Sequence, residues 1–296
     1  MSTQFIDTPL LRVAYEAAGP ERGFPVLLAH GWPDDVRTWD AVLPALHEAG
    51  LRTYAPWLRG YGPTRFLRDD TYRSGQLVAL GRDLVDFAEA LRLERYALVG
   101  HDWGARAAYT ASAIDEPRVC ACVAVSVGYG TNAPGQKLSY RQTQNYWYHW
   151  LMATPRGEKA VREDRRAFTR YIWNEWFVAY KPDTAEFERT AVSFDNPDWP
   201  QIVLHSYQVR WGHAAPDPAY AALEARFDPA PKQRVPTLTL HGARDPVNSP
   251  QMSEGKEGYF EGPYERTLIE GAGHFPQREC ASETGRRIAE WLRRYL

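Results

Sequence analysis

Leu98-Val99-Gly100-His101-Asp102-Trp103-Gly104-Ala105 sets a carboxylate between two glycines, where an apolar run gives way to a small-residue run. The pattern Gly-x-nucleophile-x-Gly is that of a sharp strand-to-helix bend presenting a reactive side chain, with aspartate where serine is common. The exchange has chemical content. A serine attacking an sp³ carbon would be left as a stable ether, whereas a carboxylate would be left as an alkyl ester that water can cleave. A carboxylate also needs no base to activate it, and a helix N-terminus behind it favours the ionised form. Asp102 therefore points to displacement at saturated carbon, as in epoxide opening or carbon–halogen cleavage, rather than to ester hydrolysis. The competing reading is a helix N-cap.

Cleaving the ester calls for a base. His274 lies in the glycine-rich loop Glu270-Gly271-Ala272-Gly273-His274-Phe275-Pro276 and is read as the group that activates water. Asp245, in His241-Gly242-Ala243-Arg244-Asp245-Pro246, would orient His274 and stabilise its imidazolium. The alternative is that Asp245 only starts a turn before Pro246. The backbone N–H groups of Trp32, in His30-Gly31-Trp32-Pro33, and of Trp103 are expected to form an oxyanion hole for the ester-cleaving step. His30 and His101 read as structural, and Arg59-Gly60-Tyr61-Gly62 as a turn bracing the site.

These residues need a scaffold that delivers them to one end. Leu11–Tyr15, Val26–His30, Leu51–Ala55, Tyr96–Gly100 and Val119–Val127 read as short strands. Leu77–Leu93 and Ala105–Ile114 have helical spacing. The alternation resumes with strands at Pro236–Leu240 and Arg266–Ile269 and a closing amphipathic helix at Glu279–Leu296. Such alternation implies an α/β fold: a mostly parallel sheet with helices on both faces. Between Thr131 and Arg226 the strands vanish, and helical stretches at Tyr146–Met152, Glu158–Trp176 and Pro200–Trp211 replace them. Six of the eleven tryptophans fall there. The expected organisation is a core domain of residues 1–130 and 227–296 with a helical cap, 131–226, over the carboxyl ends of the strands. Its aromatic residues suit an apolar pocket, although most would pack the cap itself.

Composition narrows the partners. Net charge is −2, so nothing draws the chain to nucleic acid or an anionic membrane. No apolar run has the length of a bilayer span, and the first residues lack the pattern of a signal peptide. Cys120, Cys122 and Cys280 read as free thiols in a reducing, cytoplasmic compartment. His205 and His213 lack companions at ligand spacing, and no phosphate-cradling loop appears, so neither metal nor other cofactor is expected. A homodimer is left open.

Taken together, His30–Pro33, Arg59–Gly62, Gly100–Gly104, Asp245 and Gly273-His274-Phe275 resemble the epoxide hydrolase and dehalogenase branch of the α/β-hydrolase superfamily. The order Asp102, Asp245, His274 is the nucleophile–acid–histidine order of that fold. The resemblance implies two cap tyrosines that protonate the epoxide oxygen as the ring opens. Tyr148, judged by its distance to Pro155, resembles the first, with Tyr146 the alternative register; Tyr207 resembles the second. Two rivals follow. A dehalogenase would hold halide with Trp103, and His149, Trp150 and Tyr207 could form a halide cradle; of the two arginines that bind carboxylate in fluoroacetate dehalogenases, only Arg106 has a match. Trp103, Trp150 and His149 are accordingly the expected substrate contacts, for a small apolar epoxide or organohalide. The other rival is a ligand-binding protein on a retained hydrolase scaffold.

Overall fold

The structure is a computed structural model that describes residues 2–131 and 136–296. Its strands are β1 (Thr3–Asp7), β2 (Leu11–Ala18), β3 (Phe24–Ala29), β4 (Leu51–Pro56), β5 (Arg65–Phe66), β6 (Tyr96–His101), β7 (Val119–Val125), β8 (Thr237–Gly242) and β9 (Tyr264–Ile269). They form one sheet in the order β1-β2-β4-β3-β6-β7-β8-β9, with the short β5 on β2. From β4 through β9 every pair is parallel; β2 is antiparallel to its neighbours. The carboxyl ends of β3, β6, β7, β8 and β9 therefore emerge on one side, and the loops after them converge.

The helices before β8 are α1 (Leu43–Glu48), α2 (Leu77–Ala90), α3 (Trp103–Ile114), α4 (Tyr140–Asn145), α5 (Trp147–Met152), α6 (Pro155–Glu163), α7 (Arg165–Trp176), α8 (Thr184–Ala191), α9 (Trp199–Arg210) and α10 (Ala221–Ala225). Two more, α11 (Pro276–Glu279) and α12 (Ala281–Tyr295), close the chain. α2 packs on α3, and α1 on α12. With both faces covered, β6 is buried along its whole length, which is why it reads as an unbroken apolar run rather than an alternating one. The small residues of α3, Ala105, Ala107, Ala108 and Ala111, let that helix lie close to the sheet.

Several boundaries differ from the sequence reading. β1 went unread because it is an edge strand with almost every residue exposed, leaving no apolar alternation to detect. The stretch expected as one helix over Glu158–Trp176 is two, broken at Asp164, whose φ of −132° and ψ of 32° leave the helical region. The last helix likewise begins at Ala281, after Cys280 at φ −133°. From α4 to α10, between β7 and β8, the described residues contain helices and no strand.

Candidate active site

Asp102 stands between β6 and α3 with φ of 50° and ψ of −112°. A non-glycine residue in that region is strained, and it persists only where its surroundings over-determine it. The neighbouring glycines do so. A Cβ on Gly104 would lie 2.0 Å from the Ala29 carbonyl oxygen of β3, and one on Gly100 would lie 2.1 Å from the Gly104 carbonyl oxygen. Strand, bend and helix thus touch through backbone alone. The carboxylate is turned toward the β3 loop, where the Trp32 N–H donates to Oδ1 at 3.0 Å.

His274 follows β9 and approaches from the opposite side, its Nε2 3.7 Å from Asp102 Oδ2. Its Nδ1 lies 2.9 Å from Asp245 Oδ2. A carboxylate only accepts, so Nδ1 carries hydrogen and Nε2 faces the Asp102 carboxylate. Asp245 is itself held: its Oδ1 accepts from the N–H groups of Val247 (2.8 Å) and Asn248 (3.1 Å). The sequence-expected triad is brought together in this arrangement.

The electrostatics are mutual. Burial alone would raise the Asp102 pKa, but His274 and the Trp32 N–H outweigh it and bring it down to about 2. Burial would lower the His274 pKa, but Asp245 and Asp102 outweigh it and raise it above the ordinary imidazole value. Burial would likewise raise Asp245, which the His274 charge and hydrogen bonds from His241 and His274 hold below the usual carboxylate range.

Aromatic rings form the wall over Asp102. Tyr148 of α5 stacks on Trp32, with ring centroids 5.3 Å apart and planes at 13°. Tyr207 of α9 meets Trp32 edge-on at 5.2 Å and Tyr148 at 5.5 Å. Trp103 Nε1 donates to the Tyr207 oxygen at 3.2 Å. An indole N–H cannot accept, so the Tyr207 proton stays available for another acceptor. The Tyr148 hydroxyl has no hydrogen-bond partner among the described residues. Burial, reinforced by the Asp102 charge, keeps both phenols protonated by pushing their pKa values well up. Tyr146 differs: its hydroxyl donates to Asn248 Oδ1 at 2.7 Å, while the Tyr148 ring meets Tyr207. His149 lies 4.6 Å from the Tyr207 ring and accepts at Nδ1 from Trp211 Nε1 at 3.0 Å. Trp150 does not join this group. Its indole N–H is donated to the Thr143 carbonyl at 2.8 Å, and its ring packs on Trp211 at 5.0 Å.

A family profile described as the alpha/beta hydrolase fold matches residues 25–279. The chain belongs to the α/β-hydrolase fold family. Among relatives of this hydrolase, epoxide hydrolase A of Mycobacterium tuberculosis is 28% identical, over 98% of this chain and 96% of that protein. A haloalkane dehalogenase of Mycobacterium marinum is also 28% identical, over 96% and 90%. A crystal structure from Klebsiella pneumoniae, provisionally assigned as an epoxide hydrolase, superposes with a TM-score of 0.93 at 35% identity, covering 98% of this chain and 97% of the other.

Further residues surround the hydrolase site. His101 Nε2 lies 2.8 Å from the His274 carbonyl oxygen, so that nitrogen carries hydrogen; burial lowers its pKa to about 4 and leaves the ring neutral. Ser126 Oγ donates to the same oxygen at 2.9 Å. Trp176, at the end of α7, lies 4.9 Å from the His274 ring and accepts the His274 N–H at 3.3 Å. The sequence reading takes His101 as structural, and nothing distinguishes Ser126 or Trp176. His30 is a structural histidine, donating from Nδ1 to the Gly31 carbonyl (3.1 Å) and accepting the Leu58 N–H at Nε2 (3.1 Å). Arg59 is fixed by Asp83, with both hydrogen bonds at 2.6 Å. Among the described residues no cluster of three His, Cys, Asp or Glu side chains could hold a metal ion. No helix among them is long and apolar enough to cross a membrane.

Proposed function

We propose that the protein opens epoxides to vicinal diols through an ester of Asp102. Asp102 attacks one epoxide carbon, a carbon–oxygen bond of the ring breaks, and Tyr207 with Tyr148 delivers a proton to the departing oxygen. The observation that carries this reading is the pair of phenols whose protons are uncommitted, facing each other over the nucleophile. Esterification removes the negative charge that helps keep His274 protonated, so the imidazolium gives up its proton and the phenolate regains one. Neutral His274 then takes a proton from water, which attacks the Asp102 carbonyl carbon. The Trp32 N–H, already on Oδ1, steadies the oxyanion, with the Trp103 N–H assigned as the second donor. Collapse expels the diol, which takes a proton from His274, and the Asp102 acid left behind passes its own proton to His274 to restore the starting pair.

The helical segment 131–226 acts in this reading as a cap that supplies the acid and closes the chamber. Trp103 and His149 line it, while Trp150 supports it from outside. A cytoplasmic setting suits the three free cysteines. Dehalogenation by the same triad is the second reading, in keeping with the M. marinum relative. Against it, the Trp103 indole N–H that would hold halide is donated to the Tyr207 oxygen.

A single turnover in ¹⁸O-water tests the covalent route. Because water attacks the ester carbonyl, the label is expected in Asp102 and not in the first diol released. His274→Gln with an epoxide is expected to retain the substrate mass on Asp102. Label appearing directly in the diol, with no mass gain, would remove the ester. Tyr207→Phe is expected to slow ring opening by roughly tenfold to a hundredfold.

A further inference from the structure

His241, the next-to-last residue of β8, is fully buried and has no step in the reaction given above. Its Nε2 lies 2.8 Å from the Asn248 carbonyl oxygen and 3.3 Å from Asp245 Oδ2. Both of those oxygens only accept, so Nε2 carries hydrogen. Asp245 Oδ2 is also the oxygen that faces His274 Nδ1, at 2.9 Å. Two imidazole N–H groups therefore converge on one carboxylate oxygen, while Oδ1 takes the N–H groups of Val247 and Asn248. The carboxylate cannot turn without giving up donors on both oxygens. Burial opposes its charge, and the His274 charge with the hydrogen bonds from His241 and His274 overcomes that cost.

The other nitrogen of His241 is fixed as well. Nδ1 lies 2.8 Å from Ser253 Oγ, which accepts from Arg266 Nε at 2.9 Å. Arg266 Nη2 donates to the Pro250 carbonyl at 2.8 Å, so that oxygen has a donor and the Ser253 proton is free for Nδ1. The ring is thus held at both nitrogens, and only one orientation of it serves both. The strand end is equally tight, since a Cβ on Gly242 would overlap the Gly273 carbonyl oxygen in the loop that carries His274. A connected series of polar contacts therefore runs from half-buried Arg266 of β9 through Ser253, His241, Asp245 and His274 to Asp102.

We propose that His241 is a positioning residue for cleavage of the Asp102 ester, acting through Asp245 to keep the His274 ring aimed. The role rests on the ester route proposed above. Formation of the ester draws on the Asp102 carboxylate and the phenols. Its cleavage needs His274 to take a proton from water, and for that the ring must be held from behind. Loss of the His241 donor therefore slows the second step and spares the first.

His241→Leu and His241→Gln, assayed with styrene oxide, separate this role from ordinary packing. Leucine removes the donor, whereas a glutamine amide can present an N–H near the position of Nε2. His241→Leu is expected to lower kcat by roughly tenfold to a hundredfold, the worth of a hydrogen bond to a charged group, with KM falling alongside it and kcat/KM kept. Enzyme quenched in the steady state should then carry the substrate mass on Asp102, and His241→Gln should recover most of kcat. Ser253→Ala, which frees only Nδ1, covers the case in which His241→Leu fails to fold, and should show the same split more weakly. Loss of kcat/KM without accumulated mass overturns the role, as do equal losses in the leucine and glutamine variants. Wild-type kinetics in His241→Leu, or in Ser253→Ala where that is the variant that folds, also overturn it. Labelling of the wild-type protein in ¹⁸O-water keeps two failures apart. Label in Asp102 with no split in the variants removes His241 alone, whereas no label in Asp102 removes the ester route and this role with it.

Discussion

In the proposed cycle His274 is charged at one moment and neutral at another, and the carboxylate beside it sets which. Its raised pKa depends in part on ionised Asp102, so covering that charge makes the imidazole a better source of free base. Asp102→Asn mimics the covering without substrate. The His274 titration midpoint, read by NMR, is expected to fall below that of the wild-type protein; an unmoved midpoint would remove Asp102 from this account. The sign for stability follows from the two shifts. Raised His274 contributes stability below its unfolded value of 6.5, lost as pH rises through the folded value. Depressed Asp102 contributes above 3.8, lost as pH falls toward about 2. The pair is therefore worth most between the two unfolded values. At this scale Asp102, Asp245 and His274 were legible because the chemistry demands those side chains beside glycine-rich breaks. Trp150 was expected as a substrate contact and is found packed on Trp211; helix α5 is aromatic on several faces, and spacing alone does not say which ring looks inward.

The bend at Asp102 belongs to β6, α3 and β3 jointly. Gly104→Ala would drive a methyl into the Ala29 carbonyl, a backbone atom that cannot swing aside. The expected loss is about 3 kcal/mol or more, at the upper end of overpacking effects, read as a lower denaturation midpoint. A melting curve matching wild type would show that strand and helix have room to separate. The parallel strands were readable because burial on both faces makes them continuous apolar runs. The break at Asp164 was not, since the buried positions Gly157, Val161, Phe168 and Ile172 keep helical spacing across it. β1 lacked a buried face to announce it.

For the whole molecule the question is what fastens the helical segment to the sheet. Two consecutive residues after His274 do much of it. Arg278 donates to both oxygens of Asp34 in the β3 loop, at 2.9 and 2.6 Å, and reaches Thr190 of α8 at 3.1 Å. Glu279 accepts from Gly273 and Phe275 in the histidine loop, each at 3.1 Å, and from Val178 and Ala179 beyond α7, each at 2.7 Å. Arg278→Met would leave the Asp34 carboxylate, fully buried, without its cation. Breaking such a pair is expected to cost roughly 3–5 kcal/mol, seen as a fall in Tm. A change of a few tenths of a kcal/mol would mean that the segment is held mainly by its rings. The ties to Asp34, Thr190, Val178 and Ala179 were not foreseeable, because they join residues far apart in the chain.

The bend that carries Asp102 is enforced by backbone against backbone, at Gly100 and Gly104, and owes almost nothing to the carboxylate itself. A change of one codon there would exchange the attacking group while leaving its aim untouched. A switch between acyl cleavage and ring opening on such a bend would then call for no rebuilding of the framework, only for new linings that suit the new electrophile.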